Sequence, residues 1–422
     1  MNAYQQSKRG FVPRIIREAD GEPAGNKPAA QKQPWFIENC RQGEDKRPSL
    51  TRSEPGKADA SRYMTSEIKD QPLTRLVFCV CPRRLLRFGY NDSQPMAPIQ
   101  NLTPPEIRAF RKRLLRWFHR EQRKLPWRGE RDPYRILVSE IMLQQTRAAV
   151  VENRYELFLR QFPTVHKLAR AKEQTVLAAW SGLGYYRRAR ALHALAKQVK
   201  ASGEFPRCAS ELMQLPGVGR YTAAAVASIA YGETAAVVDG NVKRVLTRIC
   251  GRELKEQECW RTADRLLAPW QPGDFNQAMM ELGAMICLPA NPRCECCPVV
   301  SFCAAFGATG ASTAQKNRSS RRKATMSYVL VRKNGHVLLQ QRPHNALLMP
   351  GMWELPEYSG AGNRTEPVLR LRHSITTTDY RVLVYANDNG GQGKWVPLKT
   401  AGRIALTGLT RKILRVLRNP TY

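Results

Sequence analysis

Four cysteines constrain one segment of this chain more tightly than any other feature. Cys287, Cys294, Cys297 and Cys303 are separated by six, two and five residues. Four thiolates close a tetrahedral shell around a single zinc ion or hold the corners of an iron–sulfur cube, and the spacing by itself leaves both open. The sequence holds eleven cysteines in all, an odd and unevenly clustered set. That argues against a disulfide framework and for thiol ligands in a reducing compartment. The other seven read as core residues or free thiols.

Charge narrows the partner. Lys and Arg number 68 against 35 Asp and Glu, a net charge of +33. Such a chain favours a polyanion, and nucleic acid fits best because neutralising phosphates releases counterions. A generally basic protein carries the same signature. A membrane surface is the weaker candidate, since no basic amphipathic helix lacks another use. No apolar run reaches the roughly 18 residues of a membrane span. Met1 to Asp20 lacks the apolar core of a signal peptide. The expected location is cytoplasmic, with no membrane partner.

The chain's 422 residues, 42% of them hydrophobic, allow two or three domains. Residues 1–100 mix Pro, Gly, Ser and charged residues without periodicity and read as a disordered extension. Met96, just before the first convincing helix, is a candidate for the true start of translation. Thr103 and Glu106 then form a capping box, with Pro104 at the first helical position. From there through residue 307 helical spacing recurs, in Leu157–Phe162, Val176–Trp180 and Ala189–Val199 among others, so 101–307 reads as all-α. Residues 308–323 form a polar, basic linker. Beyond it, 324–422 reads as a small α+β domain: strands at Ser327–Val331, Val337–Gln341 and Tyr380–Tyr385, then a helix at Gly408–Leu417.

Three motifs in the helical region carry chemistry. Leu215-Pro216-Gly217-Val218-Gly219-Arg220-Tyr221-Thr222 places two glycines around one apolar residue, just before an Ala-rich helix. Exposed amides there make an anion site, a helix-hairpin-helix clamp that positions DNA without reading its sequence. The plainer reading is a helix C-cap. Asp239, before Gly240-Asn241, is on its own a turn or N-cap residue. Its distance from the hairpin also sets it beside a bound backbone. Glu140 sits in the apolar helix Ile136–Leu143. Desolvation there raises a carboxyl toward the useful range of a general acid, whereas on a polar face it would simply reach solvent.

A desolvated acid with an ionised aspartate is the pair that breaks glycosidic bonds. In DNA that bond holds a base, and reaching it requires flipping the nucleotide. Gln145, Tyr185 and Tyr186 are candidates to fill the gap, with one of the two tyrosines expected in the core.

These residues resemble the MutY-type adenine DNA glycosylase family of the endonuclease III superfamily. The carriers are Leu125-Pro126-Trp127-Arg128, Ser139 to Thr146, Gly182-Leu183-Gly184-Tyr185-Tyr186, the hairpin, Val238-Asp239-Gly240-Asn241-Val242, Asn276 to Gly283 and the four cysteines. The resemblance covers roughly residues 102–306, with weaker similarity to the end. It implies an all-α helix-hairpin-helix glycosylase domain with a 4Fe-4S cluster loop at 287–303, then a Nudix-like α+β domain. Cys296 falls outside the cluster pattern. The implied partner is double-stranded DNA carrying adenine opposite 8-oxoguanine or guanine, bound by a monomer associated with a bacterial nucleoid.

The same resemblance implies roles. Glu140 protonates the adenine, Asp239 stabilises the sugar cation through a transient adduct, and Tyr221 and Asn241 support that centre. Arg128 and Glu281 line the adenine pocket, and Trp127 lies at the DNA. Gln145 and Tyr185 wedge into the duplex, while Gly217 and Gly219 clamp its backbone. Endonuclease III-type relatives carry a lysine after the hairpin arginine that forms a Schiff base. Tyr221 stands there, which implies a monofunctional enzyme.

Gly351-Met352-Trp353-Glu354-Leu355-Pro356 resembles part of a Nudix fold, but no Glu-rich helix follows to hold magnesium. The segment implies recognition without hydrolysis. The family's Phe-Ser-His loop corresponds to Ile375-Thr376-Thr377, where Thr376 supplies a hydroxyl and the histidine is missing. Three competing readings are a pyrimidine-specific glycosylase, a non-catalytic damage sensor and a nucleotide-pool hydrolase. Tyr221 with Glu140, the retained Glu140 and Asp239 pair, and the missing Glu-rich helix argue against them in turn.

Overall fold

The computed structural model describes residues 102–306, 321–358, 366–375, 377–387 and 391–418. All belong to the second of two compact units, Met64–Tyr422. The expected disordered extension, residues 1–100 with Met96, lies outside them.

Eleven α-helices are described before residue 307: α1 Pro104–Glu121, α2 Pro133–Leu143, α3 Ala148–Gln161, α4 Val165–Arg170, α5 Glu173–Ala179, α6 Arg187–Ser202, α7 Ala209–Leu212, α8 Arg220–Tyr231, α9 Gly240–Cys250, α10 Glu256–Leu266 and α11 Pro272–Met285. Glu106 accepts the Thr103 amide at 2.7 Å and so closes the first helix's start. The helices bury two cores. One gathers α2 to α6 around Phe158 and Trp180. The other joins α1 to α9, α10 and α11 around Phe110 and Phe275, and the cysteine segment packs onto it.

Helix α8 is the seam. Its Ala223, Val226 and Ala227 enter the first core, while Ala224 and Ala225 enter the second. Small side chains on both faces let α2 and α11 approach it from opposite sides. Gly283 of α11 needs similar closeness: a Cβ there would lie 2.6 Å from Asn241 Cβ, at the start of α9.

The strand-rich region has two sheets. β1 Arg322–Leu330 runs parallel to β6 Thr378–Ala386, which pairs antiparallel with β5 Leu369–Ile375. β2 Arg332–Lys333, β3 His336–Gln341, β4 Trp353–Glu354 and β7 Lys394–Pro397 form the other. The amphipathic helix α12 Gly408–Arg418 buries Leu409, Ile413 and Leu414 against these strands. β1 starts at Arg322, inside the stretch read as linker, because a ladder pairs backbone groups whatever the side-chain charge. The regions share a core, since Met352 and Ala405 pack with the first helical cluster. Polar ties add to this: Arg190 Nη2 donates to Pro350 O at 2.6 Å and Gln174 Nε2 to Gly351 O at 2.9 Å. Among the described residues no helix is long and apolar enough to cross a membrane.

Candidate active site

Asp132 caps α2 by accepting the Tyr134 amide at 2.9 Å, and the helix carries Glu140 inward. Glu140 is only 5% exposed, so the solvent-facing reading of this residue is overturned. Burial pushes its carboxyl up to about 7, with Asp239 adding to the rise, while the Tyr221 hydrogen bond and the Arg128 charge pull the other way. Tyr221, in the first turn of α8, donates its hydroxyl to Glu140 Oε2 at 2.8 Å and lies 3.0 Å from Met280 Sδ. Burial raises the Tyr221 phenol well above its ordinary range, so it stays a donor.

Asp239 is the N-cap of α9, and this explains its position. Oδ1 accepts the Val242 amide at 2.7 Å, and Oδ2 accepts Asn241 Nδ2 at 3.0 Å. Capping and function coincide, because the bonds that start the helix also aim the carboxylate. Burial raises Asp239, while Val242, Asn241 and Arg244 oppose it. Arg244 extends the chain of contacts. Its Nη2 donates to Asn241 Oδ1 at 2.9 Å and Gly283 O at 2.8 Å, and its Nε to Cys287 O at 2.8 Å.

Beside Glu140, Arg128 Nη2 meets Glu281 Oε2 at 2.6 Å, and Arg123 binds Glu281 through both Nε and Nη2 at 2.8 Å. Burial raises Glu281, but these arginines outweigh it and hold the carboxylate below its ordinary range. Arg128 Nε is buried with no hydrogen-bond partner among the described residues. Trp127, expected at the DNA, is buried edge-on against Tyr155 in the first core. The motif shows that two large residues adjoin without showing which turns inward.

Two loops project beside this cluster. Gln145 and Tyr185 are exposed, at φ 55° and 45°, in the left-handed region that costs side-chain-bearing residues strain. Tyr186 is the core partner of the pair. Arg188, which motif reasoning missed, holds both loops. Nη1 donates to Ile141 O and Met142 O at 2.9 Å and to Gln144 O. Nη2 donates to Thr146 Oγ1 at 3.0 Å, Leu183 O at 2.9 Å and Gly184 O at 3.2 Å. In sequence it is one arginine in a basic run, indistinguishable from a solvated one. The hairpin follows expectation in shape. Gly217 has φ +77°, and a Cβ there would meet Ala191 Cβ at 2.6 Å. Gly219 caps α8 without a side chain, leaving the first amides of that helix for an anion.

Cys287, Cys294, Cys297 and Cys303 line one cavity of about 80 Å³, with Val245, Arg248 and Leu282 behind them. Arg248 Nη1 reaches Cys287 Sγ at 3.3 Å. Cys296 does not line this cavity, although it packs against the second core as Cys287, Cys297 and Cys303 do. Among the described residues no three Cys, His, Asp or Glu side chains converge enough to hold one metal ion. Thr376 lies outside the described residues. Ile375 and Thr378 are the last pair of the β5–β6 ladder.

Residues 138–269 match the model of the HhH-GPD superfamily of base excision DNA repair proteins. That matched segment resembles the helix-hairpin-helix superfamily. The curated relatives that the chain matches are named adenine DNA glycosylases. The Homo sapiens protein is 48% identical over 47% of this chain and 40% of its own length. That of Buchnera aphidicola subsp. Baizongia pistaciae is 38% identical over 47% of this chain and 58% of its own. The chain thus spans about half the length of these relatives, or less. A solved thermostable thymine-DNA glycosylase aligns with a TM-score of 0.46 and 32% identity, over 48% of this chain and 97% of its own.

Proposed function

We propose that this chain is a monofunctional glycosylase that removes adenine mispaired with 8-oxoguanine, and less readily with guanine, from duplex DNA. The observation that carries the reading is a pair of carboxyls brought together at the α8 seam: Glu140, pushed up to about 7, and Asp239, held as an N-cap. A group titrating near 7 is about half protonated at neutral pH, so it can hold a proton and still give it up. Glu140 donates that proton to a ring nitrogen of adenine, so the base can leave with the electrons of the glycosidic bond. Asp239, with hydrogen bonds from Val242 and Asn241 favouring its charged form, stabilises the oxocarbenium-like sugar through a transient adduct. Water then replaces the carboxylate and leaves an abasic site.

The remaining residues position the substrate. Gln145 and Tyr185 enter the gap left by the flipped nucleotide. The amides after Gly217 and Gly219 hold a backbone phosphate. The unpartnered Arg128 Nε supplies a donor for the base pocket, and Glu281 fixes that guanidinium. Tyr221 offers no amine for a Schiff base.

The four cysteines hold a 4Fe-4S cluster. Four thiols lining one cavity supply the donor set that such a cluster takes. When bound, the cluster ties the end of α11 to the loop after it. The domain plan is an extension over 1–100, a catalytic region over 101–307, and a Nudix-like recognition region whose β5–β6 hairpin reads the base opposite adenine. Arg342 engages Glu354 of the Nudix-like motif, which takes that carboxylate out of metal binding. Adenine release with no borohydride-trapped protein–DNA adduct supports the reading; an adduct at lyase level contradicts it.

A further inference from the structure

A cavity of about 200 Å³ lies where the helical and strand-rich regions meet, and three guanidinium groups line it: Arg154 from α3, and Arg411 and Arg415 from α12. Leu406 and Leu414 supply its apolar wall. None of the three arginines is in an ion pair among the described residues. Arg411 Nε is buried without a hydrogen-bond partner, and its Nη groups have only long contacts, 3.4 Å to Gly402 O and 3.5 Å to Ile404 O. Burial lowers Arg411, the neighbouring Tyr186 opposes this, and Arg154 and Arg415 lower it further. Like charges gathered round a void, with no carboxylate facing them, are costly unless an anion enters.

We propose that this cavity is a binding site for a phosphate-type oxyanion, held by Arg154, Arg411 and Arg415 across the join between the two regions. Planar guanidinium forks suit tetrahedral oxyanions, and three of them drawn from two regions would close around one. Such an anion also fastens the recognition region to the catalytic helices. A backbone phosphate of the bound duplex is the favoured source. Arg154 Nη2 sits 3.0 Å from where a Cβ of Gly182 would stand, and Gly182 opens the loop that carries the exposed Tyr185. A strand parted by Tyr185 therefore passes beside the cavity. That choice of source rests on the DNA-binding reading above; the anion site itself does not.

The test uses the full, cluster-loaded chain and three variants, Arg154→Gln, Arg415→Gln and Arg411→Met. Thermal unfolding is followed against inorganic phosphate at constant ionic strength, and duplex affinity against salt. The expected result has two parts. Phosphate raises the melting temperature of the wild type and not of the variants, by mass action on the folded state. The slope of log affinity on log salt falls by about 1 in the variants, one phosphate contact's worth. A phosphate effect with an unchanged salt slope assigns the site to a free anion. A slope change alone assigns it to the duplex. Wild type and variants alike in both measurements overturns the site. Arg415→Gln, at an exposed position, guards against a variant that fails to fold, and Arg411→Met should raise stability without phosphate by removing repulsion. Phosphate binding with no duplex binding would sink the DNA reading and leave the anion site standing.

Discussion

Tyr221 stands on the α8 seam itself, and its hydroxyl donates to Glu140 Oε2 on α2 at 2.8 Å. Glu140 belongs to α2, and Tyr221 packs with the second core. The bond therefore joins the two halves of the helical region at the proposed proton donor. It favours the charged form of Glu140, against burial.

Replacing Tyr221 with Phe removes that bond. The Glu140 pKa should rise further, so the alkaline limb of the single-turnover pH–rate profile moves to higher pH. One hydrogen bond is worth about 1 kcal/mol, so the rate should change by less than tenfold near neutrality. A downward shift of the limb contradicts the assignment.

Glu140→Gln should lower adenine release by about 10²- to 10⁴-fold, the usual contribution of a positioned acid. Its effect on stability has a defined sign. The folded pKa lies above the unfolded one, so the stabilising contribution of the carboxyl is fully present below the unfolded value and is lost as pH rises through about 7. The variant should match wild type near pH 4 to 5 and exceed it above pH 7, by roughly 2–4 kcal/mol at most. Thermal melts across pH check this.

Arg188→Met leaves six acceptors, five of them backbone carbonyls, without their shared donor. The cost should be at least roughly 1.5–3 kcal/mol, the worth of one hydrogen bond to a charged group. Because Gln145 and Tyr185 sit on the two loops Arg188 holds, duplex affinity should fall even where the variant remains folded. Melting and binding at one temperature separate the two effects.

Cys297→Ser should lose iron and sulfide, whereas Cys296→Ser should keep both, since Cys296 packs outside the cysteine-lined cavity. Iron content per purified chain reads this directly. Equal loss in both variants contradicts the ligand set.

How much was legible depended on range. The cysteine spacing, the Thr103 capping box and the glycine hairpin are local patterns, and each is visible in a few consecutive residues. Glu140 could be suspected because a carboxylate among apolar residues is expensive unless it is used. Asp239 read as either cap or catalyst because its N-cap bonds also aim it. Arg188 and Arg244 could not be found, since their meaning lies in carbonyls supplied by other segments. That Trp127 turns into the core was hidden for the same reason, as nothing local says which side of a turn faces inward. The strand at Arg322 was hidden because its pairing is made by backbone while its side chains look like linker.

The central claim is tested most directly by single-turnover base release from four duplexes, with adenine opposite 8-oxoguanine, guanine, thymine or cytosine, comparing wild type with Glu140→Gln. The account predicts fast release opposite 8-oxoguanine, slower release opposite guanine, and loss of both in the variant. No adenine release from any duplex by the cluster-loaded wild type, or equal release by Glu140→Gln, would contradict it.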